Sequence, residues 1–314
     1  MNINLLINII YIISALFFIA GLKMMTSPST ARTGNMISAS GMLIAILITL
    51  LDQGIIDYEW ILLGIFIGSI IGLFASRMVQ MTEIPEMVAI FNGFGGIASL
   101  MVAWAALYPE LTDFNIRNGH LVGSSNTMLM AIIVLSILIG GITFSGSLVA
   151  YGKLSEKIPG NAYLIPGQRI ISSCIVITLL FVSYRFIFGN ATNSNDFIAV
   201  IVLALMLGII LVIPIGGADM PVVISLLNSC SGLAACSVGF VLNNNLLIVA
   251  GSLVGASGLI LTKIMCKAMN RSLKNVLFSS FGATSQHTRK MEGTVKQVNI
   301  EETYLMLEAA SSVV

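Results

Sequence analysis

The fold class this sequence predicts is an all-α membrane protein, a bundle of about nine transmembrane helices with the short start of a cytoplasmic α/β domain at its C-terminal end. Three observations predict it. Of 314 residues, 57% are hydrophobic and only 9% charged, far from the roughly 25% charge of soluble domains, and mean hydropathy is +0.98. Apolar runs recur at about the 20 residues that a helix needs to cross a bilayer. The Lys and Arg residues between those runs fall mostly on alternate connections, as membrane topology requires. A net charge of +1 carries no message about nucleic acid, and with no basic face to suggest it, no nucleic-acid partner is expected.

Taken in order, the candidate spans are 5–22, 34–51, 60–78, 85–107, 127–151, 170–188, 197–213, 221–242 and 246–266. The first run, MNINLLINIIYIISALFFIAG, has neither a positive n-region nor a small-residue cleavage site, so it reads as a span and not a signal peptide. Pro85 and Pro221 stand at helix starts, where the missing N–H costs little. Span three carries Gly64, Gly68 and Gly72, and span nine carries Gly251, Gly255 and Gly258. Such ridges let helices approach closely, and packing within the bundle is the expectation for both. Cys174, Cys230, Cys236 and Cys266 lie in apolar runs without CxxC spacing and read as small hydrophobes.

The connections after spans one, three, five and nine hold Lys23, Arg32, Arg77, Lys153, Lys157, Arg169, Lys263, Lys267, Arg271 and Lys274. The opposite loops hold Arg117 and Arg185 against Asp52, Asp57, Glu59, Glu110, Asp113 and Asp196. The positive-inside rule therefore puts the N-terminus outside and the C-terminus in the cytoplasm.

Three spans carry small or polar residues at helical spacing: Asn92, Gly95, Gly96, Ser99 and Ala103; Ser136, Gly140, Thr143, Ser147 and Tyr151; Ser225, Asn228, Gly232, Ala235 and Gly239. Facing one another, they would form a narrow seam that water can enter. Ser99 and Ser136 read as ordinary interhelical ties. Asn92 and Asn228 stand out, because amides deep in a bilayer are costly and persist mainly on a pathway or at a partner. Neither titrates near neutral pH, and His120 and His287 fall in an outer loop and in the tail. A proton path would need water held by the amides, or a titratable group from another subunit. Glu86 and Asp219 begin spans four and eight, where a carboxylate suits the helix dipole.

After Cys266 the character changes. Residues 1–270 are expected to form the membrane domain and residues 271–295 a cytoplasmic linker. Residues 296–314 hold a short amphipathic helix, with Ile300, Tyr304, Leu307 and Ala310 on one side, followed by Val313 and Val314. That reads as the interrupted start of an α/β domain.

The stretches MTEIPEMVAIFNGFGG, ITFSGSLVAYGKL, PIGGADMPVVISLLNSCSG, LLIVAGSLVGASG and IMCKAMNRS closely resemble the β subunit of the proton-translocating nicotinamide nucleotide transhydrogenases. The resemblance extends through nearly the whole chain. It implies an energy-linked enzyme complex that moves hydride from NADH to NADP+ as a proton passes inward, with NAD(H) and NADP(H) carried on soluble domains. It implies Asn92, Ser147 and Asn228 for proton passage and Asp219 at the cytoplasmic mouth; Glu86, at the cytoplasmic start of span four, is a further residue expected to couple to the nucleotide domain. It also implies Lys267 and Arg271 for the link to the NADP(H) domain and the span-nine glycines for packing. Implied partners are the transhydrogenase α subunit with its NAD(H) domain and remaining membrane helices, an NADP(H)-binding domain if separately encoded, a second αβ unit, and membrane lipid. The setting implied is a bacterial inner membrane in preference to a mitochondrial one. Many family members have histidine where this chain has Asn92; others carry asparagine there and use a histidine of the α subunit. The chain shows no glycine-rich nucleotide loop after Val314, so by itself it is expected to bind neither nucleotide and to transfer no hydride. Two other readings stay open at this point, a stand-alone secondary transporter and an inactive remnant lacking its nucleotide domain.

Overall fold

The computed structural model describes residues 3–52, 58–116, 127–163, 166–188, 194–277 and 300–309. The chain divides into two units, Met1–Phe281 and Gly282–Val314. Asp57, Arg117, His120, His287, Val313, Val314 and most of the expected 271–295 linker lie outside the described residues, as do the side chains of Glu110 and Asp113.

In the first unit, each apolar run is a helix: α1 (Ile3–Met24), α2 (Ala31–Asp52), α3 (Tyr58–Met78), α4 (Ile84–Ile116), α5 (Thr127–Leu154), α6 (Gln168–Phe188), α7 (Ser194–Val212), α8 (Met220–Val241) and α9 (Asn245–Ala268), followed by the short α10 (Leu273–Leu277). Among the described residues, nine helices are long and apolar enough to cross a membrane. Pro85 and Pro221 occupy the second positions of α4 and α8, as their missing N–H groups favour. Short 3-10 turns, Met81–Glu83 and Gly217–Asp219, lead into the same two helices. Asn244 caps α9, its side-chain oxygen accepting from the Leu247 N–H at 3.0 Å. In the second unit, the described residues form α11 (Ile300–Ala309), the short helix expected there.

Burial is concentrated in α4, α5, α7 and α8. One apolar cluster gathers Ala89, Ala150, Val212, Met220 and Val223, and another gathers Leu100, Met130, Ile137, Phe186 and Phe197. The most apolar window of α8 is 61% buried and that of α3 not at all.

Lipid tails are as apolar as leucine, so helices associate through close packing and hydrogen bonds instead of hydrophobic exclusion. Glycine permits that contact at several seams, two of which flank the polar centre of the bundle. A Cβ on Gly96 of α4 would lie 2.7 Å from the Gly140 carbonyl oxygen of α5. A Cβ on Gly232 of α8 would lie 2.8 Å from the Gly251 carbonyl oxygen of α9. Gly251, Gly255 and Gly258 are buried against α8, where Ser229 Oγ donates to the Gly255 carbonyl at 2.6 Å and Ser225 Oγ to the Gly258 carbonyl at 3.3 Å. The ridge of α3 behaves differently. A Cβ on Gly64, Gly68 or Gly72 would meet nothing within 4 Å, and α3 buries no residue. Its expected packing into the bundle is therefore not met among the described residues: glycine spacing marks a face able to pack, and no described helix covers it.

Candidate functional site

Three helices bring polar side chains to one point. Asn92 lies on α4, Ser147 on α5 and Ser231 on α8, and the close α4–α5 approach at Gly96 and Gly140 sets the first two side by side. Asn92 Nδ2 donates to Ser147 Oγ at 2.9 Å. Ser231 Oγ donates to Asn92 Oδ1 at 2.6 Å and also lies 3.2 Å from the Asn92 carbonyl oxygen. Asn92 is 7% exposed and Ser147 fully buried. An amide has a donor end and an acceptor end, and here each end is taken by a hydroxyl from a different helix. The junction is held shut.

Asn228 stands on the same helix as Ser231, three residues earlier and half-buried, and its amide has no hydrogen-bond partner among the described residues. The structure thus joins two of the sequence-predicted residues, Asn92 and Ser147, and completes the junction with Ser231, which the sequence reading did not single out. Ser225, placed on the same stripe as Asn228, faces α9, with Thr262 Oγ1 at 3.1 Å from its Oγ. Ser99 bonds back to the Gly95 carbonyl of its own helix at 3.1 Å.

Along α5 the polar line continues beyond the junction. Thr143 and Ser136 are fully buried, and their hydroxyls have no partner among the described residues. Buried hydroxyls are rarely left unpaired without a reason. From Ser147 to Ser136 is about 16 Å of helix, roughly half the hydrocarbon core of a bilayer.

The opposite end of the bundle is where the basic residues gather. Pro214 follows the end of α7, and the chain then turns through Gly216 and the 3-10 turn into α8. Asp219 ends that turn and is buried. One of its oxygens, Oδ2, lies 3.6 Å from Arg271 just beyond α9, while Oδ1 is buried without a hydrogen-bond partner among the described residues. Arg271 is about half exposed. Lys267 is exposed one turn earlier and lines the same groove with Lys263, Arg271 and Leu273. Glu86, in the first turn of α4, is half-buried. Lys157, in the loop after α5, donates to Tyr151 Oη at 2.7 Å. That hydrogen bond and the electrostatic attraction of the Tyr151 hydroxyl, then the carboxylate of Glu86, hold the Lys157 ammonium above the usual lysine range. Tyr151, expected on the seam, is thus taken up by the loop lysine.

Among the described residues, no group of three or more His, Cys, Asp or Glu side chains is placed to hold a metal ion. The described residues likewise include no strand-turn-helix of the kind that cradles a pyrophosphate.

The family model described as "NAD(P) transhydrogenase beta subunit" matches residues 7–314. NAD(P) transhydrogenase subunit beta of Rhodospirillum rubrum is 40% identical over 310 residues, which cover 97% of this chain and 65% of the relative. The same protein from a designated strain of that species gives identical values. The chain therefore spans just under two thirds of the length of these relatives.

Proposed function

This chain belongs to the NAD(P) transhydrogenase beta-subunit family, and on that premise we propose that it is the proton-conducting membrane part of such an enzyme. Hydride passes from NADH to NADP+ on soluble nucleotide domains outside the described residues. The substrates are two nicotinamide nucleotides and a proton; the first two are held elsewhere, and this chain handles the third. Its partners are the α subunit with its NAD(H) domain and an NADP(H) domain, in a dimer of αβ units. The N-terminus lies outside a bacterial inner membrane, and the basic end that holds Asp219, Arg271 and Lys267 faces the cytoplasm.

The observation that carries this reading is the Asn92 junction. Neither an amide nor a hydroxyl titrates near neutral pH, so none of its members can store the proton. What they can do is decide whether a line of water forms. With Asn92 bonded at both ends, α4, α5 and α8 are stitched together and the passage is closed. If either hydroxyl lets go, Asn92 gains a free donor or acceptor in a buried place, and water supplies the missing bond at less cost than leaving it unmade. Ser147, Thr143 and Ser136 then line the way along α5. Asn228, one turn from the junction with its amide unpaired, is positioned to hold that water. Coupling requires that the nucleotide domains favour one of these two states over the other. Asp219, Arg271, Lys267 and Glu86 form the surface through which they would do so.

The test is to reconstitute the chain with its partner subunits into liposomes and supply NADH and NADP+. Hydride transfer accompanied by a pH change of the lumen is expected. Hydride transfer with no proton movement would remove the proton role, and solute uptake by the chain alone would favour a simple carrier.

A further inference from the structure

Lys153 lies near the end of α5, is 3% exposed, and has no carboxylate within ion-pair distance among the described residues. A buried ammonium needs its three protons satisfied. Here the acceptors are all backbone carbonyls: Ile215 at 2.6 Å, Asn161 at 3.5 Å, and Ile213 in close contact. Ile213 and Ile215 flank Pro214 just past α7, where a helix leaves carbonyls unpaired and its dipole favours a cation. Asn161 belongs to the loop after α5. A second tie lies beside these, where the Gly217 N–H donates to the Gly160 carbonyl at 2.8 Å. Gly217 opens the 3-10 turn that ends on Asp219.

We infer that Lys153 is a positioning residue for proton coupling: it clamps the 213–219 connection and the 160–161 loop to α5, and so fixes Asp219 relative to the helix that carries Ser147. Lys153 lies about 9 Å along α5 from Ser147, so one rigid helix bears both the junction hydroxyl and the clamp. A movement of the Asp219 turn imposed from outside is passed to α5 through this ammonium. The inference rests on the proposed function for its consequence, and on geometry alone for the clamp.

Two variants test it in the assembled enzyme. Lys153→Met removes the charge and the three donors and keeps an unbranched chain one atom shorter. Gly217→Pro removes the N–H to Gly160 and sets the ring Cδ against that carbonyl oxygen, so it opens this tie both by losing the bond and by crowding it. Gly216 already has φ −71° and ψ 153°, which a following proline favours, and a Cβ at Gly217 meets nothing closer than 3.5 Å. Gly217→Ala, which keeps the N–H, is the matched control.

In hydrogen exchange, the Ile215, Gly217 and Asp219 amides are hydrogen-bonded. Both test variants are expected to speed exchange across 213–219 by about tenfold or more, with the α4 segment around Asn92 unchanged. In proteoliposomes, hydride transfer by both is expected to lose its response of kcat to an imposed pH gradient, with KM for each nucleotide unchanged. Unaltered exchange at 213–219 in either variant would overturn the clamp, and raised exchange with a full gradient response would overturn its role in coupling. If the unmutated assembly shows no gradient response, the proposed function fails, and the exchange measurement still decides whether Lys153 holds the turn.

Discussion

Removing the Ser231 hydroxyl gives a sharp test of the Asn92 junction, because the structure assigns that hydroxyl one side-chain partner. In Ser231→Ala, Asn92 Oδ1 loses its 2.6 Å donor while Nδ2 keeps Ser147. Interhelical hydrogen bonds in membranes average about 0.6 kcal/mol and reach about 1.7. A short bond to a 7% exposed amide belongs in the upper half of that range, so about 1 kcal/mol is expected. Asn92→Ala removes both bonds and leaves the fully buried Ser147 hydroxyl without its partner, which adds about 1–3 kcal/mol. A double-mutant cycle in a reversible detergent-unfolding titration separates these costs. The Asn92–Ser231 coupling energy is expected near 1 kcal/mol. The same cycle with Ser252, whose hydroxyl bonds the Val249 carbonyl of its own helix on the exposed side of α9, should give about zero. Additivity of Asn92→Ala and Ser231→Ala within about 0.3 kcal/mol would refute the junction.

Further outcomes follow from packing and from the basic end of the bundle. Gly232→Ala places a methyl against backbone atoms of α9, which cannot swing aside as a side chain can. It is expected to cost about 2 kcal/mol or more in the same titration. Gly68→Ala on α3 meets no neighbour and is expected to be neutral or to stabilise by up to about 1 kcal/mol. Arg271→Gln leaves the buried Asp219 carboxylate without its counter-charge. Because Arg271 is half exposed, the stability loss is expected to be about 1 kcal/mol at most. Steady-state kinetics should show a lower proton-coupled kcat.

How much of this was legible in the sequence depends on whether a property belongs to one helix or to several. The nine spans were legible because each is a continuous apolar run, and Pro85 and Pro221 marked two starts correctly. The fate of the glycine ridges was not. Gly64–Gly68–Gly72 and Gly251–Gly255–Gly258 look alike as spacing, yet among the described residues only the second is covered, because Ser229, Gly232 and Cys236 of another helix lie against it. Asn92 and Ser147 were legible as costly or periodic polar residues. Ser231 was missed for a definable reason: from Asn228, a helix reaches nearly the same face at i+3 and i+4. Spacing alone does not separate the stripe through Gly232 from the one through Ser231. Lys153 read as one more charge on the basic side, and only the arrival of the α7 terminus shows it buried among carbonyls.

The measurement that bears most directly on proton passage is lumenal pH in proteoliposomes of the assembled enzyme carrying Asn92→Leu, recorded alongside nucleotide reduction. With an apolar side chain at the junction of α4, α5 and α8, water loses its anchor there. Proton movement per hydride transferred is expected to fall at least about tenfold, with nucleotide binding intact, an effect of about 1.4 kcal/mol on the coupled step. Proton movement at the unmutated rate would contradict a path through Asn92.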